Sequence, residues 1–184
     1  GSSWFPLTNG LLYWNEDMGA DTTLPTPQDS DLWYSETPIV IAQARDLNCD
    51  IEVAGYDSTG GYALYYASLS SMPSAGITSN GDIYVTFSAY TEDVDNSIQV
   101  FRHVNIIRSL DGGATWSEPI DITPHDIWNG QQECVFASMV KDINDDKIQL
   151  IYQKDFEPGL AVRGDEDLID LNEIIYLEMD VNSE

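Results

Sequence analysis

Three stretches of this sequence place reactive or ligating residue types at useful spacings. The first is Asp46-x-Asn48-x-Asp50, with Glu52 two residues further on. Oxygen side chains at alternate positions are how a loop wraps a calcium ion, so Asp46, Asn48 and Asp50 are candidate Ca²⁺ ligands. Ile51 stands where such a loop wants glycine, and the twelfth position holds Asp57 in place of a glutamate, so an ordinary polar turn fits the same residues. Asp142-x-Asn144-x-Asp146 repeats the spacing, again without the glycine. His103 and His125 lack a Cys or His partner at zinc spacing.

The second stretch is Arg102-His103. A guanidinium fork grips carboxylates and an imidazole moves protons near neutral pH, so both are candidates for ligand binding. Strand alternation sends them to opposite faces, so at most one faces a given pocket; the competing reading is a pair of cross-strand structural contacts. The third is Lys154-Asp155-Phe156-Glu157-Pro158-Gly159, followed by Arg163-Gly164-Asp165-Glu166-Asp167. Lys154, Asp155, Glu157, Arg163 and Asp165 form a polar loop of both charges with an aromatic. Loops on a rigid scaffold commonly carry binding, although an ion-paired structural loop would look the same. Arg163-Gly164-Asp165 also spells a cell-adhesion tripeptide, a match that chance explains.

The elements that position these residues read as strands. β-branched and aromatic runs recur at Pro38–Ala44, Tyr62–Leu69, Asp82–Tyr90, Gln99–Arg108, Glu118–Thr123, Cys134–Lys141, Lys147–Lys154 and Glu173–Asp180. Asn80-Gly81 is a hairpin turn signal, and Asn144-Asp145-Asp146 marks another turn. No stretch of helical length has helical periodicity, so the fold class is all-β. A weak repeat runs through the second half: Ser71-Met72 and Ser138-Met139, Ile83 with Phe87 and Ile148 with Tyr152, Asn105-Ile106-Ile107 and Glu173-Ile174-Ile175, at offsets of 67, 65 and 68 residues. Four-stranded antiparallel units at regular spacing predict a β-propeller, with a β-sandwich as the competing architecture. The expected organisation is an irregular 1–60 with outer strands of an earlier blade, a blade over 61–125, and a following, incomplete blade over 126–184. The long Asp21–Asp31 loop is too long for a simple hairpin and is a candidate partner-facing loop. About two and a half blades fall short of the roughly four to eight of a closed ring. The expectation is therefore a partial propeller, completed by further polypeptide or another copy.

Composition narrows the partners. Seven Lys plus Arg face 32 Asp plus Glu in 184 residues, a formal net charge of −25. Such a field repels nucleic acid and anionic membranes and favours cations or basic partners, although a solvated acidic surface alone would give the same charge. No apolar run reaches the roughly 18 residues of a membrane helix, so no membrane insertion is expected. Cys49 and Cys134 can pair if the compartment is oxidising, which spacing alone does not decide. Gly1-Ser2-Ser3 reads either as a cloning remnant or as the start of an internal piece.

The most specific motif is Ser109-x-Asp111-x-Gly113-x-Thr115-Trp116. Its carboxylate can accept main-chain N–H groups of a turn, its glycines permit positive φ, and its tryptophan can pack between sheets. It resembles, at every defined position, the Asp box of sialidase-like β-propellers, where it joins the third and fourth strands of a blade. Residues 10–180 are similar to the C-terminal part of the propeller in large secreted Asp-box proteins of Bacteroidetes-type bacteria. Leu12-Tyr13-Trp14-Asn15-Glu16, Ser70-Ser71-Met72-Pro73-Ser74-Ala75-Gly76 and Tyr152–Gly159 carry that likeness, together with Arg163–Asp167. The resemblance implies an extracellular or cell-surface location and a structural role for Ser109, Asp111, Gly113, Thr115 and Trp116. A sialidase would also need an arginine cluster, a Tyr–Glu pair and an acid/base Asp. The family's Arg-Ile-Pro-type motif is missing, only Arg45, Arg102, Arg108 and Arg163 exist, and ten tyrosines leave the Tyr–Glu pair unassignable. The sequence therefore predicts a non-catalytic propeller segment that binds a glycan or protein partner, with Ca²⁺ steadying its loops and exposed aromatics at Trp14, Trp33 and Trp128. The alternatives are a sialidase-like glycoside hydrolase whose site is completed outside this chain, and a structural fragment that assembles with a complementary chain.

Overall fold

The computed structural model describes residues 9–18, 40–45, 47, 61–62, 65, 67–124, 131–144, 146–160, 167, 169 and 171–181. Among them the regular structure is β except for one 3₁₀ turn, Glu16–Met18. The strands are β1 (Leu11–Leu12), β2 (Val40–Ala42), β3 (Gly61–Tyr62), β4 (Ser70–Thr78), β5 (Ile83–Asp95), β6 (Gln99–Ser109), β7 (Ile120–Asp121), β8 (Glu133–Met139), β9 (Asp142–Ile143), β10 (Lys147–Asp155) and β11 (Glu173–Asp180).

β4, β5, β6 and β7 form an antiparallel meander, with β3 added to β6 and β9 to β4 in parallel. β8, β10 and β11 form a second meander, and β1 pairs with β2. Val85, Phe87, Ala89 and Ile107 of the first sheet pack with Leu11 and Ala42 on one side. On its other face Tyr84, Val104 and Ile106 pack with Ala137, Met139, Ile148 and Leu150 of the second sheet. Being covered on both faces is why β5 and β6 are buried at nearly every position and do not alternate. Each fully buried large side chain, such as Phe87, contributes about 1.5–3 kcal/mol through the hydrophobic effect.

The two sheets approach closely beside Gly76. A Cβ there would lie 2.6 Å from the Val140 carbonyl oxygen and 2.9 Å from Met139 Sδ, so only glycine fits. Ile77 N donates to Lys141 O (2.8 Å) and Met139 N to Ser74 Oγ (2.9 Å) across the same contact.

The repeat is visible in the strands, with its register corrected. Met72 and Phe136 both have φ of 57°. Each begins a bulge, with Met72-Pro73 opposing Phe87 and Phe136-Ala137 opposing Tyr152. Phe87 and Tyr152 in turn pair with Asn105 and Ile175, giving offsets of 64, 65 and 70 residues. The Ser-Met dipeptides misalign the first strands because the bulge, which sets the register, carries no shared residue type. Tyr62–Leu69 is not one continuous strand: only Gly61–Tyr62 pairs. The Ser68 and Leu69 carbonyls are instead aimed at the Arg102 guanidinium. Ser70–Thr78, which looked like a turn-rich stretch, is strand β4.

Candidate functional site

The densest buried polar cluster described gathers near the start of β6 and the start of β8. Arg102 is 0% exposed, among the most costly side chains to bury. Its Nη2 donates to Ser68 O (2.7 Å) and its Nη1 to Ser71 Oγ (3.1 Å), with Leu69 O and Ser88 O at 3.5 Å. Its guanidinium carbon lies 3.9 Å from the Tyr90 ring centroid and 5.5 Å from that of Tyr65, so aromatic faces supply negative potential where water is excluded. Nε has no partner.

Glu133, also 0% exposed, lies beside it. One oxygen accepts from Arg102 N (2.6 Å) and the other from the Tyr65 hydroxyl (2.8 Å). Tyr65 accepts in turn from Gly159 N (2.9 Å). Four segments of chain are thus tied through one carboxyl group. Burial pushes that carboxyl up to about 8, against the pull of the Arg102 N–H, the Arg102 charge and the Tyr65 hydroxyl, while neighbouring Asp155 adds a further upward push. Burial first, then Glu133, raises the Tyr65 phenol far above its ordinary value.

Of the residues singled out in sequence, Arg102 and Asp155 converge here, the latter pairing with Glu133 across β8 and β10. Asp155 accepts from Glu157 N (3.0 Å), which fixes the turn after β10. Lys154 is directed elsewhere, to Glu173 at 2.7 Å on β11. His103 faces away from Arg102, and its Nδ1 lies 2.6 Å from Asp121 Oδ2 while Nε2 is buried without a partner. A small cavity of about 70 Å³ lies nearby, lined among others by Arg45, Glu92, Asn105 and Asp121. Arg163, Asp165, Asp46, Asn48 and Asp50 lie outside the described residues, as do Cys49, His125, Trp33 and Trp128. Cys134 is a buried free thiol. Asn144 donates from its side chain to Asp142 O, and no trio of His, Cys, Asp or Glu gathers at metal-binding distance among the described residues. Tyr65 and Glu133 were missed in the sequence because neither lies in a motif; the partnership exists only through the fold.

The far end of β6 carries the Ser109–Trp116 loop. Asp111 accepts from Ser109 Oγ (2.8 Å), Ala114 N (3.0 Å), Thr115 N (2.9 Å) and Thr115 Oγ1 (2.6 Å). The Thr115 hydroxyl and then its N–H hold this carboxyl down to about 2. Gly112 and Gly113 have φ of 73° and 96°. Trp116 Nε1 closes the turn on Gly113 O (3.1 Å), and its ring meets Tyr13 edge-on at 5.2 Å.

No protein-family model and no curated protein matches this chain. Among solved structures, one described as "NanB plus Optactamide" is similar over 46% of this chain and 16% of its own, at 22% identity and a TM-score of 0.34. The matched part spans far less than two thirds of that protein, and a likeness this slight carries no argument about this chain.

Proposed function

We propose that this chain is a segment of a sialidase-like, Asp-box β-propeller and works as a non-catalytic binding module, taking a glycan or a partner protein at an extracellular or cell surface. The observation that carries the reading is the state of the arginines. A sialidase-type site needs guanidinium groups free to grip a substrate carboxylate. Arg102 is buried and committed to main-chain carbonyls, and Arg108 donates to Val181 O. Of the described arginines only Arg45 remains exposed. Two stacked meanders sharing one bulge support the propeller part of the proposal, and the Asp111 loop supports its Asp box. Exposed aromatics at Trp14 (56%) and Phe156 (56%) are the stacking surfaces a glycan would use. Ca²⁺ bound by Asp46, Asn48 and Asp50 belongs to the same proposal, as a loop-steadying ion. Glycan-array binding without hydrolysis of a fluorogenic sialoside is expected. An array blank for the full-length protein, together with no protein captured at the cell surface, would sink the reading.

One observation favours a hydrolase completed elsewhere: Tyr65 donates to Glu133 at 2.8 Å, the pairing a tyrosine nucleophile requires. The raised Tyr65 ionisation runs against nucleophilic activation. Sialoside turnover by the full-length protein that vanishes in Tyr65→Phe would establish this second reading over the first.

A further inference from the structure

The two meanders differ at one edge. In the first, the main-chain polar groups of Val104 and Arg108 turn outward to the β7 side. Val104 N donates to Thr123 Oγ1 (2.9 Å) and its carbonyl accepts from Ile122 N (3.0 Å). Arg108 N donates to Ser117 Oγ (3.0 Å) and its carbonyl accepts from Ser117 N (2.9 Å), while Ile106 pairs with Ile120 between them. The bulge register makes Ile174, Tyr176 and Glu178 of β11 the counterparts of Val104, Ile106 and Arg108. Among the described residues β11 pairs with β10 alone, so the outward N–H and C=O groups of these three meet no strand. The side chains beside that edge are exposed apolar ones, Ile174 at 66% and Tyr176 at 60%. An open, ordered edge of eight residues is a template for one more strand.

Charge selects what that strand is. β11 carries Glu173, Glu178 and Asp180 and no cation, in a chain of net charge −25. Antiparallel pairing of β11 with its own copy would set Glu173 near Glu178 and Asp180, and like charges across a ladder destabilise it. A strand with basic residues would relieve the repulsion instead. We infer that the outer edge of β11 is a strand-addition site for a separate polypeptide: an extended segment of alternating apolar and basic residues, hydrogen-bonded to Ile174, Tyr176 and Glu178. This inference rests on strand register and charge, and stands whether or not the chain binds glycan.

The test uses synthetic nonapeptides and the purified chain, read by fluorescence anisotropy. The probes are alternating Val/Lys, alternating Val/Glu, and Val/Lys with a central proline. The Val/Lys peptide should bind at one per chain, and the other two should not. Tyr176→Pro removes one outward N–H without touching the β10 ladder, and should weaken binding at least about tenfold, the effect of ~1.4 kcal/mol. Should that variant melt early, the double change Glu178→Lys with Asp180→Lys decides instead: preference must swing to Val/Glu. Equal binding of the proline-interrupted peptide would mean plain charge attraction and overturn the inference, as would undiminished binding to a folded Tyr176→Pro. A dimer by sedimentation that Tyr176→Pro dissolves would overturn it in favour of a second copy.

Discussion

Asp111 and Glu133 lie near opposite ends of β6, reached through Ser109 and Arg102, roughly 23 Å apart along the strand at ~3.3 Å per residue. Asp111 faces water, takes four hydrogen bonds from its own turn and is held down to about 2. Glu133 has no exposed surface, takes two hydrogen bonds from distant segments and is pushed up to about 8. The donors differ in number, yet the larger difference is water. Where solvent remains, local N–H and O–H groups decide the carboxyl's state; where it is gone, desolvation outweighs two good hydrogen bonds and a nearby guanidinium. The first carboxylate organises a turn. The second joins two sheets and is the more consequential to disturb.

The comparison is broken most severely by Glu133→Ala. It leaves Arg102 N and the Tyr65 hydroxyl without acceptors in a buried site, and a cost of about 3–5 kcal/mol in denaturant unfolding is expected. Glu133→Gln sharpens it. The folded carboxyl titrates above its ordinary 4.5, so the parent is stabilised most below that pH. It should lose about 1.4 kcal/mol per pH unit as pH rises toward about 8, where the loss levels off. The Gln variant should lack that component of the slope, and an unchanged slope would place its origin in the general negative charge. Gly113→Ala comes next. Its Cβ would sit 2.5 Å from the Tyr13 ring at a φ of 96°, and a loss of about 1–3 kcal/mol is expected by thermal melting. Asp111→Asn is the smallest and has the opposite pH sign. The parent's contribution is present above the ordinary 3.8 and disappears as pH falls through about 2, so acid titration of parent and variant should converge at the low end.

Much of the strand pattern was legible because β-branched and aromatic runs do not depend on context; Ile83–Tyr90, Gln99–Arg108, Lys147–Lys154 and Glu173–Asp180 all fall within or along observed strands. Ser70–Thr78 escaped because Met72, Pro73 and Gly76 look like breakers. In the fold they are a bulge and a close sheet contact. The Asp111 turn could be read because all its partners lie within four residues. The Glu133 cluster could not, since Tyr65 and Glu133 are 68 residues apart and only the stacking of the sheets brings them together. Alternation correctly separated Arg102 from His103. It did not foresee that both would be buried, because that follows from cover on both faces of the sheet.

Cys134 lies next to Glu133 at the start of β8, 2% exposed, its thiol pushed up to about 12 chiefly by burial. An alkylating reagent at neutral pH therefore finds neither access nor thiolate while the sheets stay together. Its labelling rate reports how often β8 leaves the stack, so the chain carries its own clock for that excursion, readable by mass without any added probe.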